Sequence, residues 1–219
     1  MVKNQGKNLA LYDDFLAHTG PDRLQKILAR CELYKMALEI PGDIVECGVF
    51  KGSGIYTYAK LRHIFKPRSA QKILGFDFFE SERDAEIQHP TDRGVLEQHA
   101  NGWATQEEIR NNLRNMGIGD VELIAGNVVE TTRSYRERNL GFRISLLYLD
   151  VDNFEGTLSA LENLFPAVTN GGIIAFDEYA HRGHGEADAV DKFIKNKSVE
   201  LKTLPWANTP TAYFRKRAS

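Results

Sequence analysis

A chain of 219 residues with 42% hydrophobic and 26% charged side chains has the length and composition of one well-packed globular domain, here spanning residues 1–219. Its net charge of −2 and the lack of any dense Lys/Arg run argue against a nucleic-acid partner, and no apolar run reaches membrane-spanning length. Cys31 and Cys47 lie in apolar contexts that suit buried free thiols, and the polar start MVKNQGKN lacks the layout of a signal peptide, so a cytoplasmic protein is expected.

Residues 1–40 read as a helical segment. LALYDDFLAH carries an apolar stripe with Tyr12 and Phe15 that either packs within the chain or faces another subunit of a homo-oligomer. From 22 to 38, Leu24, Ile27, Leu28, Cys31, Tyr34 and Leu38 recur at helical spacing until Pro41-Gly42 stops the pattern. IVECGVF (44–50) is a strand, KGSG a turn, and a helix continues to about Phe65. ILGFDFF (73–79) is the next strand. Residues 81–104 are polar and poorly periodic, the pattern of a lid loop.

Thr105 and Glu108 form a capping-box signature for a helix through Met116, which Gly117 ends. VELIAG (121–126), a helix near 128–139, ISLLYLDV (144–151), and a helix face of Leu158, Leu161, Leu164, Phe165 and Val168 lead to GGIIAFDEY (171–179). A helix near 186–196 follows, and VELKTL and TAYFRK are placed to pair as an antiparallel edge. Short apolar strands alternating with helices predict an α/β fold: a mostly parallel sheet with helices on both faces.

In such a sheet the ends of adjacent strands border the ligand crevice. Two apolar runs end in acids, Asp150 and Asp152, then Asp177 and Glu178, which points to a metal or acid/base centre. Any one of these acids is equally well read as a helix cap; four converging demand a cation or a proton. Glu46 to Gly54, with the spacing G-x-x-x-G-x-G, occupies the first strand-to-helix turn, where glycines admit a ligand to the backbone. Asp77, 23 residues beyond Gly54, stands where an acid accepts ribose hydroxyls, and Gly126-Asn127 where an amide reads an adenine edge. Together these predict an adenosine cofactor, without distinguishing S-adenosylmethionine from NAD.

PGDIVECGVFKGSG, GFDFFE, LDVDNFEGT, GGIIAFDEY and GEADAVDKF together resemble the macrocin O-methyltransferase family of class I S-adenosylmethionine enzymes over about residues 30–215. The resemblance implies a Rossmann-like seven-stranded sheet in the order 3-2-1-4-5-7-6 with strand 7 antiparallel, and S-adenosyl-L-methionine and Mg²⁺ as cofactors. The implied reaction is methyl transfer to a hydroxyl of a sugar, as nucleotide sugar, glycoside or polysaccharide precursor. On that resemblance Glu46, Gly48, Gly52, Ser53, Asp77, Asn127 and Asp150 would form the cofactor side, Asp152, Asp177 and Glu178 would hold the metal, and Asp152 would be the general base. Hard carboxylate oxygens suit Mg²⁺, and a sugar hydroxyl needs a base or a metal to shed its proton. Glu178 departs from the family pattern, where a second Asp is frequent. His89, His99, His181 and His184 are lesser candidates for a base, and Trp103 either covers the substrate or anchors its loop. An NAD-dependent oxidoreductase and a methyltransferase-like module that binds without catalysis are the alternatives; acceptor choice carries no readable code.

Overall fold

The computed structural model describes residues 2–81, 87–92, 94 and 102–217, with the side chains of 2–8 excepted. Most of the expected lid, 81–104, and its His99 lie outside the described residues. Two helices lead in, α1 (Val2–His18) and α2 (Pro21–Met36). They are followed by β1 (Asp43–Cys47), α3 (Ser53–Phe65) and β2 (Ile73–Asp77). Then come α4 (Gln106–Asn115), β3 (Val121–Ala125), α5 (Val128–Arg138) and β4 (Ile144–Leu149). The chain closes with α6 (Phe154–Leu164), β5 (Val168–Phe176), α7 (Glu186–Ile194) and β6 (Ala212–Arg215).

Among the described residues the strands form one six-stranded sheet in the order β3-β2-β1-β4-β5-β6, parallel except for β6, which runs antiparallel to β5. Burial on both faces explains why the strands read as continuous apolar runs. On one face Ile44, Ile73, Leu146, Tyr148 and Ile173 pack against Leu33 and Tyr34 of α2, Ile55 and Tyr58 of α3, and Ile109 and Leu113 of α4. On the other, Val45, Leu74, Phe76, Leu147 and Ile174 meet Tyr135 of α5, Leu161 and Leu164 of α6, and Val190 and Phe193 of α7. Alternate residues of each strand serve opposite cores, as the twofold repeat of a strand requires.

Two differences from the sequence reading have local causes. The sheet holds six strands where seven are expected: residues 199–204 approach β6 only through a bridge between Lys202 and Tyr213. Val199 N donates to Lys197 O and Ala207 N to Leu204 O, and Pro205 has no N–H, so the segment turns away before a ladder grows. In α2 the buried face is Ala29, Arg30, Leu33 and Tyr34, whereas Leu24, Ile27 and Leu28 are exposed. The stripe facing the sheet therefore contains basic residues that a count of apolar positions skips. In α1, whose apolar stripe the sequence leaves open to packing within the chain or against another subunit, Leu9, Leu11, Tyr12 and Leu16 are exposed within the single chain. The capping box of α4 forms as expected: Thr105 Oγ1 accepts from Glu108 N (3.1 Å), and Glu108 Oε2 accepts from Thr105 N (2.8 Å). No helix among the described residues is long and apolar enough to cross a membrane.

From β1 the chain moves outward through β2 to β3, then returns to place β4 on the other side of β1. The carboxyl ends of β1 and β4 therefore flank the point where strand order reverses, the usual ligand crevice of an open α/β sheet.

Candidate active site

A cavity of about 280 Å³ opens at that point, just below the roughly 300–1,000 Å³ range of small-molecule sites. Its wall includes Glu46, Gly48 and Ser53 from the first turn, Asp77 from the end of β2, Gly126, and Asp150, Asp152, Asp177 and Glu178. Of the expected cofactor residues, Gly52 and Asn127 do not line it. Gly52 sits at the N-terminus of α3, and the Asn127 side chain caps α5 by accepting from Val129 N at 3.0 Å.

The β1 end is shaped by close approach. Gly48 has φ 87°, and a Cβ built there would lie 1.7 Å from the carbonyl oxygen of Asp150, so neither the dihedral nor the space admits a side chain. Gly54 faces a charged pair: Arg30 Nη1 of α2 meets Glu46 Oε1 at 2.8 Å, with both side chains almost wholly buried. The Arg30 guanidinium also lies over the Tyr148 ring, 4.5 Å from its centroid. Burial raises the Glu46 pKa and Arg30 opposes the rise; burial would lower the pKa of Arg30, but Glu46 leads the groups that hold it well above its ordinary value.

Asp77 is spent on the framework. Its Oδ2 accepts from Val49 N (2.6 Å) and Phe50 N (2.7 Å), and its Oδ1 from Phe78 N (2.6 Å) and Trp103 Nε1 (2.9 Å). Trp103 also meets the Phe50 ring edge-on, so it anchors its loop to the cavity wall. Phe50 (φ 52°) and Asp152 (φ 57°) both line the cavity in left-handed conformations, which cost of order 1 kcal/mol or more and gather where a structure holds residues for function.

The acids of β4 and β5 are arranged differently. Among the described residues, Asp150, Asp177 and Glu178 bring one carboxylate oxygen each within 4.8 Å of one another; Asp152 lines the same cavity outside that group. Tyr148 donates its hydroxyl to Asp177 Oδ1, and His181 Nδ1 contacts Glu178 Oε2. Lys26 of α2 reaches Asp150 Oδ2 at 3.2 Å and Asp177 Oδ2 at 2.9 Å, and Arg30 Nη2 stands 3.5 Å from Asp150. Burial and then the neighbouring Asp177 push the Asp150 pKa well above the usual carboxylate range. For Asp177 burial also pushes upward, but Lys26 and the Tyr148 hydroxyl overcome it and leave the group below its ordinary value. Lys26 is raised: burial lowers it, and Asp150 and Asp177 more than compensate.

Beneath these acids Glu186, fully buried, accepts from Glu178 N at 2.7 Å through Oε1, while its Oε2 has no partner among the described residues. Asp92 is also fully buried and ties the 185 turn to α6, accepting from Gly185 N (2.6 Å) and Phe154 N (2.7 Å). His89 stacks on Phe154 and meets Asp188 Oδ2 at 3.0 Å, which makes it a packing residue, and His184 is half-buried in the turn. Lys26 and Arg30 are site residues that counting apolar positions passes over. The readable signal is Arg23, Lys26 and Arg30 at helical spacing, in register with Leu33 and Tyr34.

Sheet order, the switch-point cavity and the glycine-rich first turn define a Rossmann-like methyltransferase fold. The chain belongs to the macrocin O-methyltransferase (TylF) family, whose profile matches residues 11–216. It is 33% identical over 173 residues to the 8-demethyl-8-(2,3-dimethoxy-alpha-L-rhamnosyl)-tetracenomycin-C 4'-O-methyltransferase of Streptomyces olivaceus, covering 75% of this chain and 64% of that one. It is 28% identical over 185 residues to the demethyldecarbamoylnovobiocin O-methyltransferase of Streptomyces niveus, covering 81% and 67%. The chain thus spans just under two thirds of the length of the first relative. Among solved structures it resembles CalS11, calicheamicin methyltransferase, also described as a TDP-rhamnose 3'-O-methyltransferase. That match has a TM-score of 0.74 and 27% identity, and covers 95% of this chain and 85% of the other.

Proposed function

We propose that this chain transfers a methyl group from S-adenosyl-L-methionine to a hydroxyl of a sugar or sugar-bearing small molecule, with Mg²⁺ assisting. The observation that carries the reading is the acid-lined cavity at the switch point of a chain in this family. The names of relatives support a sugar acceptor: one is a rhamnosyl-tetracenomycin 4'-O-methyltransferase and another a TDP-rhamnose 3'-O-methyltransferase.

Bound S-adenosylmethionine supplies an electrophilic methyl on sulfur, and a divalent ion lowers the cost of forming an alkoxide. The protein's part is to align the acceptor oxygen behind the methyl and to take its proton. Glu46, Gly48, Ser53 and Asp77 line the cofactor end, with Asp150 where it meets the acids and with Gly52 and Asn127 setting the helix starts behind it. Asp177 and Glu178 offer hard oxygens suited to Mg²⁺, with Asp150 in reach of both and Asp152 beside them. Asp152, held on the cavity wall, is the base that accepts the hydroxyl proton.

Calorimetric titration with S-adenosylhomocysteine, with NAD⁺ as control ligand, tests the assignment. Saturable binding of S-adenosylhomocysteine alone is expected and directs a screen of nucleotide sugars and glycosides; binding of NAD⁺ instead would sink the proposal.

A further inference from the structure

Two of the three clustered carboxylates already share a cation, the ammonium of Lys26 between Asp150 Oδ2 and Asp177 Oδ2. The other Asp177 oxygen is taken by the Tyr148 hydroxyl, so the oxygen Asp177 would turn to a metal ion is the one Lys26 holds. An ammonium about 3 Å from these oxygens and a divalent ion bonded to them at about 2 Å would repel each other strongly in a partly buried site, where screening is weak.

The two cations of α2 differ in how they are held. Arg30 is 3% exposed, paired with Glu46 and lying over Tyr148, and is locked in place. Lys26 is 26% exposed at the side chain, a point charge on a flexible stem that can withdraw along the cavity wall toward solvent. Clustered carboxylates are costly without a counter-charge, and Lys26 supplies it from within the chain.

We propose that Lys26 is a resident counter-ion of the acidic cluster and that a divalent cation binds only in exchange for it, so that metal loading requires the Lys26 side chain to leave Asp150 and Asp177. This deepens the proposed function and rests on its metal reading.

The test is Mn²⁺ binding to the full chain, followed by electron paramagnetic resonance without cofactor or acceptor, in the wild type, Lys26→Met, Lys26→Arg and Asp177→Asn. Lys26→Met is expected to bind Mn²⁺ at least tenfold more tightly than wild type, Lys26→Arg no more tightly, and Asp177→Asn to lose the site. In chelator Lys26→Met should melt below wild type and gain more from Mn²⁺, a signature that loss of a merely structural lysine would not produce. Lys26→Gln, which keeps a donor toward Asp177, serves if Lys26→Met does not fold. Equal or weaker Mn²⁺ binding by the lysine-free variant, with Asp177→Asn still abolishing it, would overturn the exchange while leaving the metal reading intact. Absence of Mn²⁺ binding in both wild type and Lys26→Met overturns both.

Discussion

Two sets of strand-end acids border one cavity and are neutralised in opposite ways. Asp77, at the end of β2, is surrounded by N–H donors: three backbone amides and the Trp103 indole. Asp150 and Asp177, at the ends of β4 and β5, are held mainly by cationic side chains from α2 and by the Tyr148 hydroxyl. Amides belong to the framework and cannot leave without unfolding the turn. Of those cations Arg30 is locked against Glu46, but Lys26, a point charge on a flexible stem, can move. The β2 acid is therefore part of the structure that shapes the first turn, whereas in the proposed function the acids of β4 and β5 are the ones offered to a ligand.

That contrast breaks first, and by the largest margin, at Asp152. Asp152→Ala should lower methyl transfer roughly a thousandfold, within the range of about 10² to 10⁴ for general bases, with S-adenosylhomocysteine affinity nearly unchanged by calorimetry. A fully active variant removes Asp152 from the chemistry. Arg30→Ala leaves Glu46 buried without its partner and should cost about 3–5 kcal/mol in urea unfolding. A loss below 1 kcal/mol would show that the Arg30–Glu46 pair is not a framework element. Asp77→Ala removes the acceptor for the Val49 and Phe50 amides and should cost about 3 kcal/mol, together with cofactor affinity. If stability holds while only affinity falls, Asp77 belongs with the available acids after all.

The smallest effect concerns Glu186. Burial, followed by the charges of Asp150, Asp177 and Asp152, raises its pKa well above the ordinary glutamate value. The folded chain then binds more protons at this site than the unfolded chain, so its contribution to stability declines as pH rises from the unfolded glutamate range toward the folded value. Glu186→Gln keeps the acceptor for Glu178 N and removes the titration. It should be more stable than wild type by about 1 kcal/mol or more at pH 8 in chelator, with the gain vanishing near pH 4. Melting curves across that range decide it; a gain that is flat with pH would place the effect in packing.

Much of the fold was legible because its signals are local. IVECGVF and ISLLYLDV read as strands since a parallel strand covered on both faces needs apolar side chains at nearly every position, and Thr105 with Glu108 marked a helix start through bonds only three residues apart. The edge was less legible: VELKTL has strand composition, yet its ladder depends on partners and stops at one bridge. The acids at 150, 152, 177 and 178 were readable as a group because each follows an apolar run, but which of them meet was not. Asp150 falls in with Asp177 and Glu178, and Asp152, in a left-handed conformation, lines the cavity outside that group.

The sequence by itself determined the alternation of strands and helices, the glycine turn after β1 and the family, because periodicity, caps and motifs act over a few residues. Only the tertiary structure decided which face of α2 is buried, and with it the pairing of Lys26 with Asp150 and Asp177, residues 124 and 151 positions away in the chain. The reason is physical. A basic residue within a helical stripe looks solvated until the fold places a carboxylate against it, and the energy of that contact depends on burial, which no local pattern encodes.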